Sequence, residues 1–207
     1  CQITNCSLSD ACKSFLNDRP ANTSFKTLNE YTLYEPFGTS LRMGSIGYTN
    51  TKKHDRGIQV CYNSLDSYIA SLKHAINTPS KEYSKIGIKV DGIYQQLNAN
   101  TLQIENEYYS TVRPKQPLKG FEKPITALSR RGIGYIELRS LDINPFNQAG
   151  LTPNQMAFIE VFLHFCLLQE SPLINSQERE TINANQLLVA HQGRNPDLVL
   201  QRANDSI

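Results

Sequence analysis

At 207 residues, with 39% apolar side chains and a net charge of +2, the chain is long enough for one domain with a buried core. It is too nearly neutral to argue for nucleic acid or an anionic membrane as a partner. Its mean hydropathy of −0.43 reads as soluble and globular. No apolar run approaches the roughly 20 residues of a spanning helix.

Residues 1 to 35 are polar and irregular, with one short helix expected around Asp10 to Leu16. The start at Cys1 shows no basic segment followed by an apolar run, so no signal peptide is visible, and the chain reads as part of something longer. Cys1, Cys6, Cys12, Cys61 and Cys166 include no CxxC pair and no zinc-like spacing. Thiols in a reducing cytosol are expected, with Cys166 a small core residue.

The first clear helix follows Asn63 or Ser64 as its cap. Leu65, Tyr68, Ile69, Leu72 and Ile76 recur at helical spacing, and Asn77 to Ser80 ends it. Ile86, Ile88 and Val90 then alternate up to Asp91-Gly92, a hairpin turn whose return strand is expected over Ile93 to Leu97. A third strand is expected over Thr101 to Val112, with Leu102, Ile104 and Tyr108 on one face and Gln103, Glu105, Glu107 and Tyr109 on the other.

Arg113 to Lys123, with Pro114 and Pro117, reads as a basic connector. Pro124 to Arg131 reads as a short helix closed by Gly132, and Gly134 to Leu141 as a strand ending in the turn Asp142 to Pro145. Thr152-Pro-Asn-Gln155 is a capping box with proline at the first helical position. It launches an apolar helix to about Gln169, largely enclosed, with Met156, Ile159, Phe162, Leu163 and Cys166 along its buried stripe. One further helix is expected near Asn185 to His191. The mixture of hairpins and helices is α+β with an antiparallel sheet.

On the strand after Gly134, alternation places Tyr135, Glu137, Arg139 and Leu141 on one face. A carboxylate beside a guanidinium suits Mg²⁺ and nucleotide phosphate, but on this feature alone a solvated face where the two charges pair is the favoured reading. Glu105 and Glu107 present a second polar face, which reads as a metal site or a wet edge strand. Arg42, near a glycine-containing bend, can clamp a carboxylate or stand on the surface. His54, His74, His164 and His191 are scattered, with His164 satisfied within its helix. There is no GxxxxGK[ST], GxGxxG, HExxH or GxSxG.

Taken together and in order, SLRMGSIGYTN (Ser40 to Asn50), TPSKEYSKIGIKVDG (Thr78 to Gly92), LQIENEYYSTVRPK (Leu102 to Lys115) and GIGYIELRSLDINPF (Gly132 to Phe146) resemble the bacterial glutamate–cysteine ligase family. The resemblance implies residues 1–207 as the central part of a single catalytic domain, with N- and C-terminal portions lying outside it. It also implies a cytoplasmic enzyme of glutathione biosynthesis with a glutamine synthetase-like cradle of antiparallel sheet. The implied substrates are glutamate, cysteine and ATP, with Mg²⁺, or alternatively Mn²⁺, as the metal.

By the same resemblance Glu137 binds Mg²⁺, Arg139 contacts the γ-phosphate, and Arg42 holds the glutamate substrate. Tyr48 and Tyr109 line the cysteine pocket, Tyr48 through its hydroxyl and Tyr109 through its ring. Glu105 and Glu107 are weaker candidates. The family's other metal-binding carboxylates are expected before Cys1, which implies that residues 1–207 alone are inactive. A non-catalytic assembly or binding module on the same sheet is the alternative, and a basic RNA-binding domain is a third reading that the near-neutral charge disfavours.

Overall fold

Two units divide the chain in the computed structural model: Cys1–Gly44 together with Leu141–Ile207, and Ser45–Ser140. The structure describes residues 2–4, 26–29, 32–40, 42–44 and 58–201. The expected helix at Asp10 to Leu16, along with Cys1, Cys6, Cys12, Tyr48 and His54, lies outside these.

The unit Ser45–Ser140 is built on helix α1 (Leu65–Asn77). Ser64 caps it by accepting from the Ser67 N–H, and the Ser67 hydroxyl accepts in turn from the Ser64 N–H. Of the apolar stripe read from the sequence, Tyr68, Ile69 and Leu72 are buried together with Ala75, while Leu65 and Ile76 are half-buried against them. These pack with Val60, Leu102, Tyr108, Ile125 and Leu128 into one core. Each fully buried side chain of Leu or Ile size contributes on the order of 1.5–3 kcal/mol.

A short helix α2 (Lys81–Ile86), capped by Ser80, takes up Ile86, so the hairpin is smaller than expected. It comprises only β4 (Lys89–Val90) and β5 (Ile93–Tyr94), joined at Asp91 (φ 49°) and Gly92 (φ 83°), the two left-handed residues that such a turn requires.

The expected strand over Thr101 to Val112 does not form. Glu105–Glu107 is a single 3₁₀ turn. The Gln103 N–H donates to Glu107 Oε2 at 2.7 Å, and the Ile125 N–H to Glu105 Oε2 at 2.7 Å. Acidic side chains folding back onto backbone donors compete with a ladder. The strand instead starts later, as β6 (Val112–Lys115), inside the stretch read as a connector. It pairs antiparallel with β7 (Tyr135–Leu138), with Arg113 opposite Glu137 and Lys115 opposite Tyr135.

Pro114 is tolerated by parity. The Arg139 N–H donates to the Thr111 carbonyl at 2.8 Å, so counting by twos leaves Pro114 in a pair that exchanges no hydrogen bond with β7. Between β6 and β7 runs helix α3 (Pro124–Arg131), with Pro124 at its start and Gly132 (φ 73°) at its end.

In the other unit β1 (Gln2–Thr4), β2 (Lys26–Asn29) and β3 (Thr32–Tyr34) form a three-stranded antiparallel sheet in the order β1-β3-β2. The reading of residues 1 to 35 as irregular is thus corrected. These strands are three or four residues long and carry too little alternation to read.

Helix α4 (Pro153–Leu168) opens on the expected capping box of Thr152 and Gln155. Its enclosure is also corrected, because none of its side chains is buried: Phe158 and Val161 are 69% exposed and Leu168 82%. Cys166 is exposed rather than a core residue. His164 is held as expected, its Nδ1 2.9 Å from the Glu160 carbonyl. Helix α5 (Ser176–Gln192) begins nine residues before the expected stretch, at a capping box of Asn175 and Glu178. Small antiparallel sheets with helices make the chain α+β. Among the described residues no helix is long and apolar enough to cross a membrane.

Candidate functional site

The face of the β6–β7 ribbon that carries Glu137 is the candidate site. Alternation along β7 brings Tyr135 and Glu137 to it, and β6 adds Arg113 and Lys115 through the register. Arg139 lies one residue beyond β7, yet its N–H to Thr111 keeps it in the ladder. Its guanidinium stands 4.8 Å over the Tyr109 ring, which fixes a long side chain against an aromatic face.

The Glu137 carboxylate lies between two cations. Arg139 NH1 is 3.6 Å from Oε1 and Lys115 Nζ is 3.6 Å from Oε2. Neither distance is a hydrogen bond, and Oε2 is buried without a hydrogen-bond partner. A buried carboxylate oxygen in that condition is a ready ligand for a hard cation. Among the described residues no three of His, Cys, Asp and Glu converge to hold a metal.

The ribbon is also braced by tyrosines. The Tyr62 hydroxyl lies 3.1 Å from that of Tyr108 and 2.6 Å from Ser110 Oγ, and donates to the Val112 carbonyl at 2.9 Å. Burial, with the Tyr62 hydroxyl nearby, pushes the Tyr108 hydroxyl far above its ordinary range. Burial is also the main cause raising Tyr68 to about 12, against a hydrogen bond from Arg113 that lowers it. These phenols therefore stay neutral donors and acceptors at working pH. Arg113 itself is buried, with its Nε unpaired.

Glu105 and Glu107, the weaker metal candidates, each give an oxygen to a backbone N–H, so both hold local structure. Arg42 belongs to the other unit, where its N–H donates to Asp142 Oδ1 at 3.4 Å. The structure thus brings Glu137, Arg139 and Tyr109 together on one ribbon. The division between units falls after Ser140, within the Gly132 to Phe146 motif.

Sequence reasoning missed a buried pair in that other unit. His191 Nδ1 and Glu35 Oε2 are 2.6 Å apart, and each side chain is 3% exposed. The pair sits where the end of α5 grips residues 37–40. The Thr39 N–H donates to Ala190 O, and the Arg194 N–H to Phe37 O. Gly193 allows this approach, since a Cβ there would meet Thr39 Cγ2 at 2.7 Å. No local signal announces a contact between residues 156 apart.

The family model for glutamate-cysteine ligase matches residues 7–189. The chain belongs to the glutamate–cysteine ligase family. It is 46% identical over 197 residues to the glutamate–cysteine ligase of Shewanella halifaxensis, covering 95% of this chain and 37% of that one. It is 46% identical over 193 residues to that of Pseudomonas aeruginosa, covering 93% and 36%. Among solved structures, glutamate–cysteine ligase from Francisella tularensis in complex with AMP superposes with a TM-score of 0.81 at 34% identity, over 92% of this chain and 37% of that one. The chain therefore spans little more than a third of these ligases' length.

Proposed function

We propose that the protein containing this chain ligates the γ-carboxylate of L-glutamate to the amino group of L-cysteine at the expense of ATP, in the cytoplasm, as a step of glutathione synthesis. The observation that carries this reading is the Glu137 carboxylate flanked on both oxygens by cations on a partly buried strand face. It stands in a family whose named members are glutamate–cysteine ligases, one of them bound to AMP. In the first step a glutamate γ-carboxylate oxygen attacks the γ-phosphorus of ATP and ADP leaves. In the second the cysteine nitrogen attacks the acyl carbon and phosphate leaves. Such chemistry is mainly positioning and charge neutralisation.

On this reading Arg139, oriented by the Tyr109 ring, contacts the transferring phosphoryl group. Arg42 clamps the glutamate substrate, and Tyr48 and Tyr109 line the cysteine pocket. Glu137 is one ligand of Mg²⁺ or Mn²⁺, and the metal when bound neutralises phosphate charge. The wider antiparallel cradle, similar to glutamine synthetase, and the remaining metal ligands belong to the rest of a single catalytic domain. Residues 1–207 alone are therefore inactive. The substrates are small molecules; neither nucleic acid nor membrane is a partner.

The test is ADP release by the longest polypeptide the gene encodes, with ATP, Mg²⁺ and glutamate, with and without cysteine. Cysteine-stimulated release is expected, and its absence from well-folded protein sinks the reading. Arg139→Ala and Glu137→Gln are expected to lower kcat about 10²-fold or more.

A further inference from the structure

We propose that Lys115 is a further phosphate-binding residue of this site, supplied by β6 to a face whose other functional groups come from β7 and its end. The register carries the argument. Arg113 lies opposite Glu137 and Lys115 opposite Tyr135, so Lys115 reaches Glu137 diagonally on the same face. Its Nζ stops 3.6 Å from Glu137 Oε2, and that oxygen, though buried, has no hydrogen-bond partner.

A lysine placed only to neutralise Glu137 has the freedom to close to the 2.7–2.9 Å that is typical of charge-assisted hydrogen bonds. Lys115 stands off instead, with its side chain 24% exposed. An edge lysine kept for solubility points into water; this one leans over a carboxylate that Arg139 approaches at the same 3.6 Å from the other side.

The charge balance points the same way. Arg113, Lys115 and Arg139 share the face with one carboxylate, leaving an excess of two positive charges. A group that satisfies such a face carries several negative charges, as a polyphosphate or an acyl phosphate does. Arg139 is anchored over Tyr109 and Arg113 is buried. Lys115 is the cation on a flexible stem, able to leave Glu137 for phosphate oxygens when nucleotide enters. This assignment rests on the ligase reading given above.

The experiment uses the longest encoded polypeptide, wild type and Lys115→Met, with Lys115→Arg as the charge-keeping variant. Affinity for a non-hydrolysable ATP analogue is measured by calorimetry with Mg²⁺ and again with chelator, beside KM for ATP and for glutamate. Lys115→Met is expected to weaken analogue binding about tenfold or more in both buffers and to raise KM for ATP, while KM for glutamate moves less than about threefold. Lys115→Arg restores most of the loss. Wild-type analogue affinity in a folded Lys115→Met protein overturns the assignment and leaves the ligase reading intact. Absence of nucleotide binding in the wild type overturns both. If Lys115→Met does not fold, Lys115→Gln takes its place under the same criteria.

Discussion

Glu105 shows a carboxylate at work on the backbone. It is buried, and its Oε2 accepts from the Ile125 N–H at 2.7 Å, at the first turn of α3, where helix donors lack partners of their own. Glu105→Ala removes that acceptor and is expected to lower stability by about 1–3 kcal/mol, read as a shift in the urea midpoint. Loss of less than about 0.5 kcal/mol shows that another group caps α3.

Glu122 makes a second prediction. A hydrogen bond from Arg131, then one from the Lys119 N–H, hold its carboxyl at about 2. A depressed folded-state value means that its stabilisation is full above the ordinary carboxylate range and is lost as pH falls from about 4.5 to about 2. Thermal melts across that window are expected to fall less steeply for Glu122→Gln than for wild type. Identical slopes count against the pairing. The nearness of Glu137 to Arg139 was legible, because a period of two fixes it within one strand. Lys115 was not, because its place depends on a cross-strand register that no local pattern encodes.

Elements with their own punctuation were readable in advance: α1 from its stripe and Ser64, α3 from Pro124 and Gly132, α4 from Thr152 and Gln155. Among strands, β7 and the Asp91-Gly92 hairpin were readable, each longer than it proves to be, whereas β1, β2, β3 and β6 were not, since they run three or four residues and are made by their partners. The turn from α3 to β7 decides where Glu137 points. Gln116 Nε2 donates to the carbonyls of Arg131 and Gly132 at 3.1 and 2.9 Å, closing the helix end, and Gly132 turns the chain at φ 73°. Nothing would touch a Cβ at Gly132, so the effect of Gly132→Ala is purely conformational. It is expected to destabilise by about 1–3 kcal/mol, measured by thermal denaturation. An unchanged melting temperature overturns the claim that the left-handed turn constrains this junction.

At the scale of the whole molecule, α4 joins a sequence that asks for enclosure to a structure that leaves it open. Phe158, Phe162 and Phe165 run along it, with the Phe158–Phe162 and Phe162–Phe165 rings stacked on each other, and each is more than half exposed. Composition says that such a helix is covered; it does not say by what. Most of the length of the related ligases lies outside the stretch this chain matches. Residues 1–207 alone are therefore expected to bind an apolar dye and to associate as concentration rises. Phe158→Glu together with Val161→Glu is expected to abolish both without lowering the melting temperature, because neither side chain is buried in its own unit. In the longest encoded polypeptide the same pair is expected to destabilise by several kcal/mol, as charges forced into a covered apolar interface do. Equal tolerance in both forms shows that α4 faces water in the complete protein as well.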